Sequence, residues 1–498
     1  MGKVYLVGAG PGDPKLITVK GREVIRRADT VIYDYLAHKD ILAFARADAE
    51  VIYVGKQASR HAMSQDGINA LLVEKALLRE TVVRLKGGDP YIFGRGGEEA
   101  AYLAERAIQF EVVPGITSAI AVPAYAGIPL TYRGYASTVA FITGHEDERK
   151  EASAIRWHEL ATGIDTLVFL MGMKHLGEIA RRLIEEGRDP DTDACVIQWG
   201  TLPTQRSVTG PLKDIERLVG EAGISPPGII VVGAVISLKE KLGWFERRPL
   251  FGKRVAVTRA SHQSAKLGEL LVERGAEVIY APTIEIVPIE PNLPLSAAIE
   301  GLKDYFCIIF TSVNGASIFF EALRKQGKDS RSLGPAKVLP IGTATARFLE
   351  SRGIVPDHMP HEFTQEGIVR VLDEVGVKGR RFLLPRAEEG RDVVTKYIQD
   401  GGGVCDQIPI YRTELPRRPE AFASKPDIIT FTSSSTVRNF MTLYGADVLK
   451  EGLIASIGPI TTETLRKYGI EPHITASRYD IQGLVDAVTL DALQRKDL

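Results

Sequence analysis

The sequence predicts an α/β protein in two parts: a pair of α/β subdomains, then a second α/β module of two similar lobes. Three observations carry this reading. Short apolar, β-branched runs alternate with helical stretches along the chain. Three glycine-rich turns join strand ends to helix starts before Thr131. Beyond Gly252, four blocks recur once each in the same order. A chain of 498 residues exceeds one ordinary domain, and 44% hydrophobic with 25% charged residues suits a globular protein with ample core.

In the first part, residues 3–7, 30–33, 51–54 and 81–85 read as strands, and 16–27 and 67–78 as helices. Apolar runs of four or five residues bounded by Gly and Asp suit strands buried on both faces. The alternation resumes after Pro114, with strands near 137–143, 166–171, 194–199 and 228–233. This places a break near 112–115 and gives subdomains of about 1–113 and 114–243 within a module spanning 1–243. GWFERRPLFGK, from Gly243, breaks the periodicity with charge and a proline, so 244–252 is expected to be a linker.

The second module, 253–498, repeats itself. KRVAVTRA at Lys253 matches RRFLLPRA at Arg380. CIIFTSVNGASIFF at Cys307 matches IITFTSSSTVRNF at Ile428. VLPIGTATARFLESRGIVPD at Val338 matches IASIGPITTETLRKYGIEPH at Ile454. EGIVRVL at Glu366 matches QGLVDAV at Gln482. Two similar lobes follow, and the cleft between lobes is the default ligand site.

Composition excludes several function classes. The net charge is −1, whereas nucleic-acid binders are usually basic; a local basic pocket for an acidic small molecule remains compatible. Cys195, Cys307 and Cys405 stand singly, which argues against a disulfide framework or a zinc ribbon. The chain opens on a strand, KVYLVGAG, without a basic segment ahead of an apolar one, and the apolar run 228–238 is too short to span a bilayer. A cytoplasmic protein with no membrane and no nucleic-acid partner is expected. His358 and His361 flank a proline in DHMPHE rather than forming HExxH, so they read as loop histidines and no metal is expected.

The chemistry lies in the glycine turns. GAGPGD (8–13) resembles a dinucleotide fingerprint, but Asp13 replaces its last glycine and Pro11 sits inside the turn. VRLKGGDPYIFGRGGEE (83–99) and PGITSAIAVPAYAGIPLT (114–131) share its design: an apolar strand end, glycines, then a helix start. Glycine lets backbone approach a ligand, and free N–H groups at helix starts suit a carboxylate or a polar nucleoside. Three such loops point to a nucleoside-type cofactor at the carboxyl ends of the strands.

These blocks resemble the tetrapyrrole methylase family, and within it the uroporphyrinogen-III C-methyltransferases, over about residues 3–242. The resemblance is carried by VGAGPGDP, Tyr33–Asp34, Gly55–Lys56, Gln65 with Ile68–Asn69, RLKGGDP, FGRGGEE, PGITSA, AYAGIPLT, TGH from Thr143, FLMG from Phe169 and WGT from Trp199. It implies the tetrapyrrole methylase fold and S-adenosylmethionine as cofactor, leaving as S-adenosylhomocysteine. The cofactor would be held between the subdomains by Pro11, Gly87, Gly88, Asp89, Ile92, Thr117, Ser118, Met171 and Gly200. It also implies Asp34 as proton acceptor and Lys56 as proton donor, against the bland readings of a strand-end turn residue and a solvated lysine. Gln57, Tyr91 and Tyr132 depart from the Arg, Phe and His that the family usually shows. The substrate, uroporphyrinogen III, carries eight carboxylates; Arg22, Lys86, Arg95 and Arg133 are candidates to meet them, each with the alternative of an ordinary surface charge. The resemblance further implies a homodimer through this half.

The second part resembles the uroporphyrinogen-III synthases over about 253–490, through VTRA, IIFTSVNG, LPRAEEGRD, IYRT, TFTSSSTV and SIGPITTETL. This implies the two-lobed α/β synthase fold, with lobe 1 about 253–287 plus 412–490, lobe 2 about 288–411, and a two-stranded connection. The implied reaction closes hydroxymethylbilane with inversion of the last pyrrole ring and loss of water. Tyr411 matches the family's candidate tyrosine; the alternative is an aromatic packed at the connection. Thr311, Ser312, Asn314, Ser433, Ser434 and Thr461 match positions that hold substrate carboxylates, and residues of this type also cap helices. Arg259 and Arg386, at equivalent repeat positions, either steer the polyanion or form structural ion pairs. The joint expectation is a bifunctional enzyme. It makes uroporphyrinogen III and then methylates it at C2 and C7 with two S-adenosylmethionine molecules, giving precorrin-2, with sirohaem, cobalamin or both as its outlet. The alternative is a methylase with a non-catalytic, tetrapyrrole-sensing second half.

Overall fold

The structure is a computed structural model that describes residues 2–55, 63–144, 154–416, 425–450 and 452–496, with the side chains of 261–263 and 496 left outside. It divides into two compact units, Met1–Arg254 with Leu270–Val278 and Thr489–Leu498, and Val255–Glu269 with Ile279–Val488.

Within the first unit, β1 (Lys3–Gly8), β2 (Thr30–Tyr33), β3 (Glu50–Tyr53), β4 (Thr81–Lys86) and β5 (Gln109–Val113) form a parallel sheet in the order β3-β2-β4-β1-β5. The central strands β1 and β4 are buried along almost their whole length, as their unbroken apolar runs require. The helix expected at 16–27 is interrupted: a short 3-10 turn (Pro14–Leu16) precedes the helix Val19–Arg27. Thr18 causes the break, because its extended backbone and hydroxyl acceptor start a new helix by capping Gly21 N–H.

A second sheet combines β6 (Val139–Thr143), β7 (Thr166–Leu170), β8 (Asp193–Gln198), β9 (Arg206–Pro211) and β10 (Gly228–Val232) in the order β6-β7-β10-β8-β9. Only β6 and β7 pair in parallel. Edge strand β9 escaped the sequence reading because it is half exposed and weakly apolar. Segment 244–252 is not a free linker: Phe245 and Leu250 are buried in this unit. Its aromatic residues break helix and strand periodicity because the segment packs as irregular chain.

In the second half, β11 (Arg254–Val257), β12 (Glu277–Tyr280), β13 (Glu285–Pro288), β14 (Cys307–Phe310), β15 (Lys337–Pro340), β16 (Arg381–Ala387), β17 (Val404–Glu414), β18 (Ile428–Phe431), β19 (Leu453–Ser456) and β20 (Ile474–Thr475) build two sheets. Their orders are β12-β11-β18-β19-β20 and β13-β17-β16-β14-β15. The sequence repeat maps onto this directly: β12-β11-β18-β19 and β17-β16-β14-β15 are equivalent strands in equivalent order. Each lobe buries phenylalanines completely, Phe310, Phe319 and Phe382 in one and Phe431 and Phe440 in the other, and each such burial contributes about 1.5–3 kcal/mol. The lobe boundary shifts from the expected residue 287. Strand β13 already belongs to the second lobe, pairing antiparallel with β17 from Glu285–Glu414 to Pro288–Tyr411. Residues 412–414 stay with β17 for the same reason: this ladder supplies their backbone hydrogen bonds.

Candidate functional site

A cavity of about 690 Å³ opens in the first unit where loops from both of its sheets meet. Its floor is made by the ends of β1, β2 and β4, and its far side by the segments after β7 and β8. Glycine is required there for contact, not only for flexibility. A Cβ on Gly115 would sit 2.2 Å from the Gly88 carbonyl oxygen and 2.6 Å from Gly8 Cα, so three strand-end loops touch backbone to backbone. Asp89 fastens two of them: its carboxylate accepts from Tyr91 N–H (2.8 Å) and Ile92 N–H (3.2 Å) in its own loop and from Gly115 N–H (2.9 Å) in the next. Gly115→Ala is expected to destabilise this unit by about 1–3 kcal/mol, since the backbone contact must open by more than a core readily concedes. Chemical denaturation checks this, and unchanged stability would refute the account of the glycine contact.

Backbone strain gathers at the same place. Phe93, Arg95, Met171 and Trp199 line the cavity with φ of 52°, 57°, 59° and 48°, and Thr201 beside it has φ of 71°. Left-handed conformations in bulky residues cost on the order of 1–3 kcal/mol each and collect at ligand sites.

Beneath the cavity lies a buried charge cluster. Arg84 and Lys86, two apart on β4, share one face of the strand. Glu99, fully buried on the helix Gly96–Glu105, receives on Oε1 the Lys86 ammonium (2.8 Å), Arg84 Nε (3.2 Å) and Gln65 Nε2 (3.3 Å). Glu99 Oε2 accepts no hydrogen bond among the described residues. Arg84 also donates to Asp34 Oδ2 (2.9 Å), whose other oxygen accepts Leu36 N–H (3.2 Å). Burial first, then the neighbouring Arg84 charge, pulls the Lys86 ammonium below the usual lysine range.

The expected cofactor residues Pro11, Gly87, Gly88, Asp89, Ile92, Thr117, Ser118, Met171 and Gly200 all line this cavity, and so do Asp34, Lys86 and Arg95. Lys56 and Gln57 lie outside the described residues. Lys86 differs from a lysine at the mouth, because its ammonium is spent on Glu99. Arg95 pairs with Glu98 at 2.7 Å in the open. Arg22 and Arg133 are exposed and are not among the lining residues. Sequence reasoning missed Arg84 and Glu99, although both sit in motifs it quoted. The available signal was two basic residues at i and i+2 in an otherwise buried strand, which demands a buried anion.

In the second half, Tyr411 is buried and its phenol shares a 3.0 Å hydrogen bond with Ser312 Oγ. Ser312 also caps the helix Val313–Lys325, accepting Gly315 N–H at 2.9 Å, and half-buried Thr311 and Asn314 flank it. On the other lobe, Ser433 caps the equivalent helix Ser434–Tyr444, Ser434 Oγ accepts from Thr464 Oγ1 at 2.7 Å, and Thr461 is buried. Ser312 and Ser433 are thus helix caps, and the other four residues stand beside or within the first turns of the same or neighbouring helices. Arg386 is committed locally. Buried, it donates to the Ala387 and Arg391 carbonyls (3.1 and 2.9 Å), Asp392 (3.1 Å) and Gln407 (3.3 Å), so the ion-pair alternative describes it better than a steering role. Arg259 is half-buried, and burial lowers its guanidinium pKa. The thiol pKa values of Cys195, Cys307 and Cys405 are pushed up by burial to about 11, 12 and 11, which removes them as nucleophiles at neutral pH. No described helix is long and apolar enough to cross a membrane.

The family model of tetrapyrrole (corrin/porphyrin) methylases matches residues 3–216, and that of uroporphyrinogen-III synthase HemD matches residues 265–486. The porphyrin biosynthesis protein HemD of Ruminiclostridium josui is 39% identical over 97% of this chain and 97% of its own. The S-adenosyl-L-methionine-dependent uroporphyrinogen III methyltransferase of Methanosarcina barkeri is 54% identical over 49% of this chain and 95% of its own. A crystal structure of uroporphyrin-III C-methyl transferase from Thermus thermophilus with S-adenosyl homocysteine aligns at 38% identity and TM-score 0.41, covering 48% of this chain and 100% of that one.

Proposed function

Since the chain belongs to the tetrapyrrole methylases by its first half and to the uroporphyrinogen-III synthases by its second, we propose that it performs two consecutive steps on one macrocycle. It is a bifunctional tetrapyrrole biosynthesis enzyme, an S-adenosylmethionine-dependent C-methyltransferase joined to a cyclising synthase. In our reading the synthase half closes hydroxymethylbilane to uroporphyrinogen III with inversion of the last ring and loss of water. The methylase half then methylates C2 and C7 to give precorrin-2. The observation that carries the methylase assignment is the glycine-walled cavity with Asp34 fixed at its edge by Arg84.

The residues present fit S-adenosylmethionine. A volume of about 690 Å³ lies in the roughly 300–1,000 Å³ range of small-ligand sites. Gly87 and Gly88 leave backbone exposed to a ligand, and Thr117 caps the helix Ser118–Tyr125 beside Gly88. The bound cofactor supplies an electrophilic methyl group. The chain's own contribution is positioning and proton removal. Pro11, Gly87, Gly88, Ile92, Thr117, Ser118, Met171 and Gly200 form the wall, while Asp89 acts through the loop it fastens. Asp34 takes the proton that the methylated, cationic macrocycle must lose, with Lys56 as the matching donor. Arg95 and Lys174 are exposed cations at the cavity that can meet a substrate carboxylate, Arg95 in exchange for its pair with Glu98.

In the synthase half, Tyr411, oriented by Ser312, donates a proton to the departing hydroxyl. Helix starts carrying Thr311, Ser312, Asn314, Ser433, Ser434 and Thr461 hold carboxylates, with Arg259 nearby on the β11 lobe. A cytoplasmic location, a homodimer through the methylase half and the absence of nucleic-acid and membrane partners complete the proposal.

The test is incubation of the full chain with hydroxymethylbilane, with and without S-adenosylmethionine, followed by mass spectrometry and isomer analysis. The expected products are dimethylated macrocycle with the cofactor and the inverted type III isomer without it. Tyr411→Phe is expected to slow ring closure by about 10²-fold and leave methylation of supplied uroporphyrinogen III unchanged. Spontaneous, uninverted closure with normal methylation would instead make the second half a non-catalytic sensor.

A further inference from the structure

Segment 244–246 joins two hydrogen-bonded arms that converge on one contact at the cavity edge. One arm is aromatic. Trp244 donates its indole N–H to the Ala124 carbonyl (3.1 Å), and Trp244 and Phe245 pack on the Tyr125 ring at centroid distances of 5.1 and 4.8 Å. Tyr125 then donates its phenol to Asp13 Oδ2 at 2.9 Å. The other arm is polar. Glu246 Oε1 accepts from buried Gln205 (2.9 Å) and from Ser207 (2.8 Å), and Oε2 pairs with Lys239 at 3.2 Å. Gln205 Oε1 in turn accepts the N–H of Thr201 at 2.9 Å.

The arms meet where Thr201 Oγ1 accepts the N–H of Asp13 at 3.0 Å. That bond ties the β1 loop, whose Gly10, Pro11 and Gly12 line the cavity, to the post-β8 loop, whose Trp199 and Gly200 line its other side. It is a strained joint. Thr201 is 2% exposed with φ of 71°, and a Cβ on Gly12 would come within 2.7 Å of its hydroxyl. A threonine holds a left-handed backbone only where surrounding bonds over-determine it. Gln205 and Asp13 supply those bonds, and both are braced from residues 244–246.

We propose that the segment Trp244–Glu246, with Tyr125, is a positioning element of the methyl-donor site, setting the spacing of its two walls through the Asp13–Thr201 latch. This rests on the reading of the cavity as the S-adenosylmethionine site. None of these side chains touches the reacting atoms. Their effect is on cofactor affinity, and a methylase truncated at residue 243 loses the brace.

The test uses the full chain carrying Tyr125→Phe, Glu246→Ala or Glu246→Gln, with S-adenosylhomocysteine binding measured by calorimetry beside the KM for uroporphyrinogen III and the melting temperature. Tyr125→Phe keeps the ring packing and removes one hydrogen bond. Glu246→Gln keeps an oxygen acceptor towards Gln205 and Ser207. Loss of one such bond predicts about fivefold weaker S-adenosylhomocysteine binding in Tyr125→Phe and Glu246→Ala, with Glu246→Gln within about twofold of the parent. The KM for uroporphyrinogen III stays unchanged. Unchanged cofactor affinity in Tyr125→Phe and Glu246→Ala overturns the proposal, as does a loss shared equally by both ligands and accompanied by a lower melting temperature. Failure of the parent chain to bind S-adenosylhomocysteine would instead overturn the cofactor reading beneath it.

Discussion

Replacing Asp34 by asparagine is expected to lower the methylation rate constant by about 10²–10⁴-fold while S-adenosylhomocysteine still binds. Asn keeps the acceptor that the Leu36 N–H meets on Asp34 Oδ1 at 3.2 Å, but turns its amide N–H group towards Arg84. It removes the charge held by Arg84 at 2.9 Å and the basic oxygen facing the cavity. Carbon methylation leaves a positive charge on the macrocycle that only proton loss discharges, so the missing base is felt in kcat more than in binding. Single-turnover assays with labelled cofactor measure the step. A rate constant within threefold of the parent would remove Asp34 from the chemistry and return it to the turn-residue reading.

The second large effect is on stability. Glu99→Gln is expected to cost about 3–5 kcal/mol, the usual penalty for removing one partner of a buried ion pair and leaving its cations uncompensated. Glu99 is fully buried, Arg84 and Lys86 are 3% and 4% exposed, and all three meet at one carboxylate oxygen. The amide oxygen can take the place of Oε1, so the loss is one of charge, with the amide N–H group left at the unpartnered Oε2 position. Chemical denaturation, followed through the transition that S-adenosylhomocysteine protects, checks the size of the loss. Adding Lys86→Met to Glu99→Gln is expected to recover part of it, since the double change removes a cation along with the anion. A loss below about 1 kcal/mol, or no recovery in the double variant, would show that the cluster is not energetically coupled.

Strands were legible where burial is two-sided. An unbroken apolar run such as VYLVG permits little else, so the sheet cores were read to within a residue or two. The duplication in the second half was legible as well, because equivalent strands need the same burial in each lobe and keep the same turn residues. Helix starts were read two to three residues late or early, because their caps, Thr18 and Ser64, were not used. Edge strand β9 and the segment 244–252 were misread for a shared reason. Neither carries a regular hydrophobic period, one being half exposed and the other an irregular segment whose aromatics are buried by tertiary contacts.

The candidate site divides along the same line. Glycine loops, helix starts and the Asp34 position follow from local pattern and family resemblance, because backbone approach and capping are short-range properties written in neighbouring residues. The partners of each charge were settled only by folding. Arg84 reaches Asp34 across 50 residues, Asp13 meets Thr201 across 188, and Gln205 meets Glu246 across 41. No local period encodes such pairings; they arise because buried polar groups must find partners, and the packed sheets determine which partners are within reach.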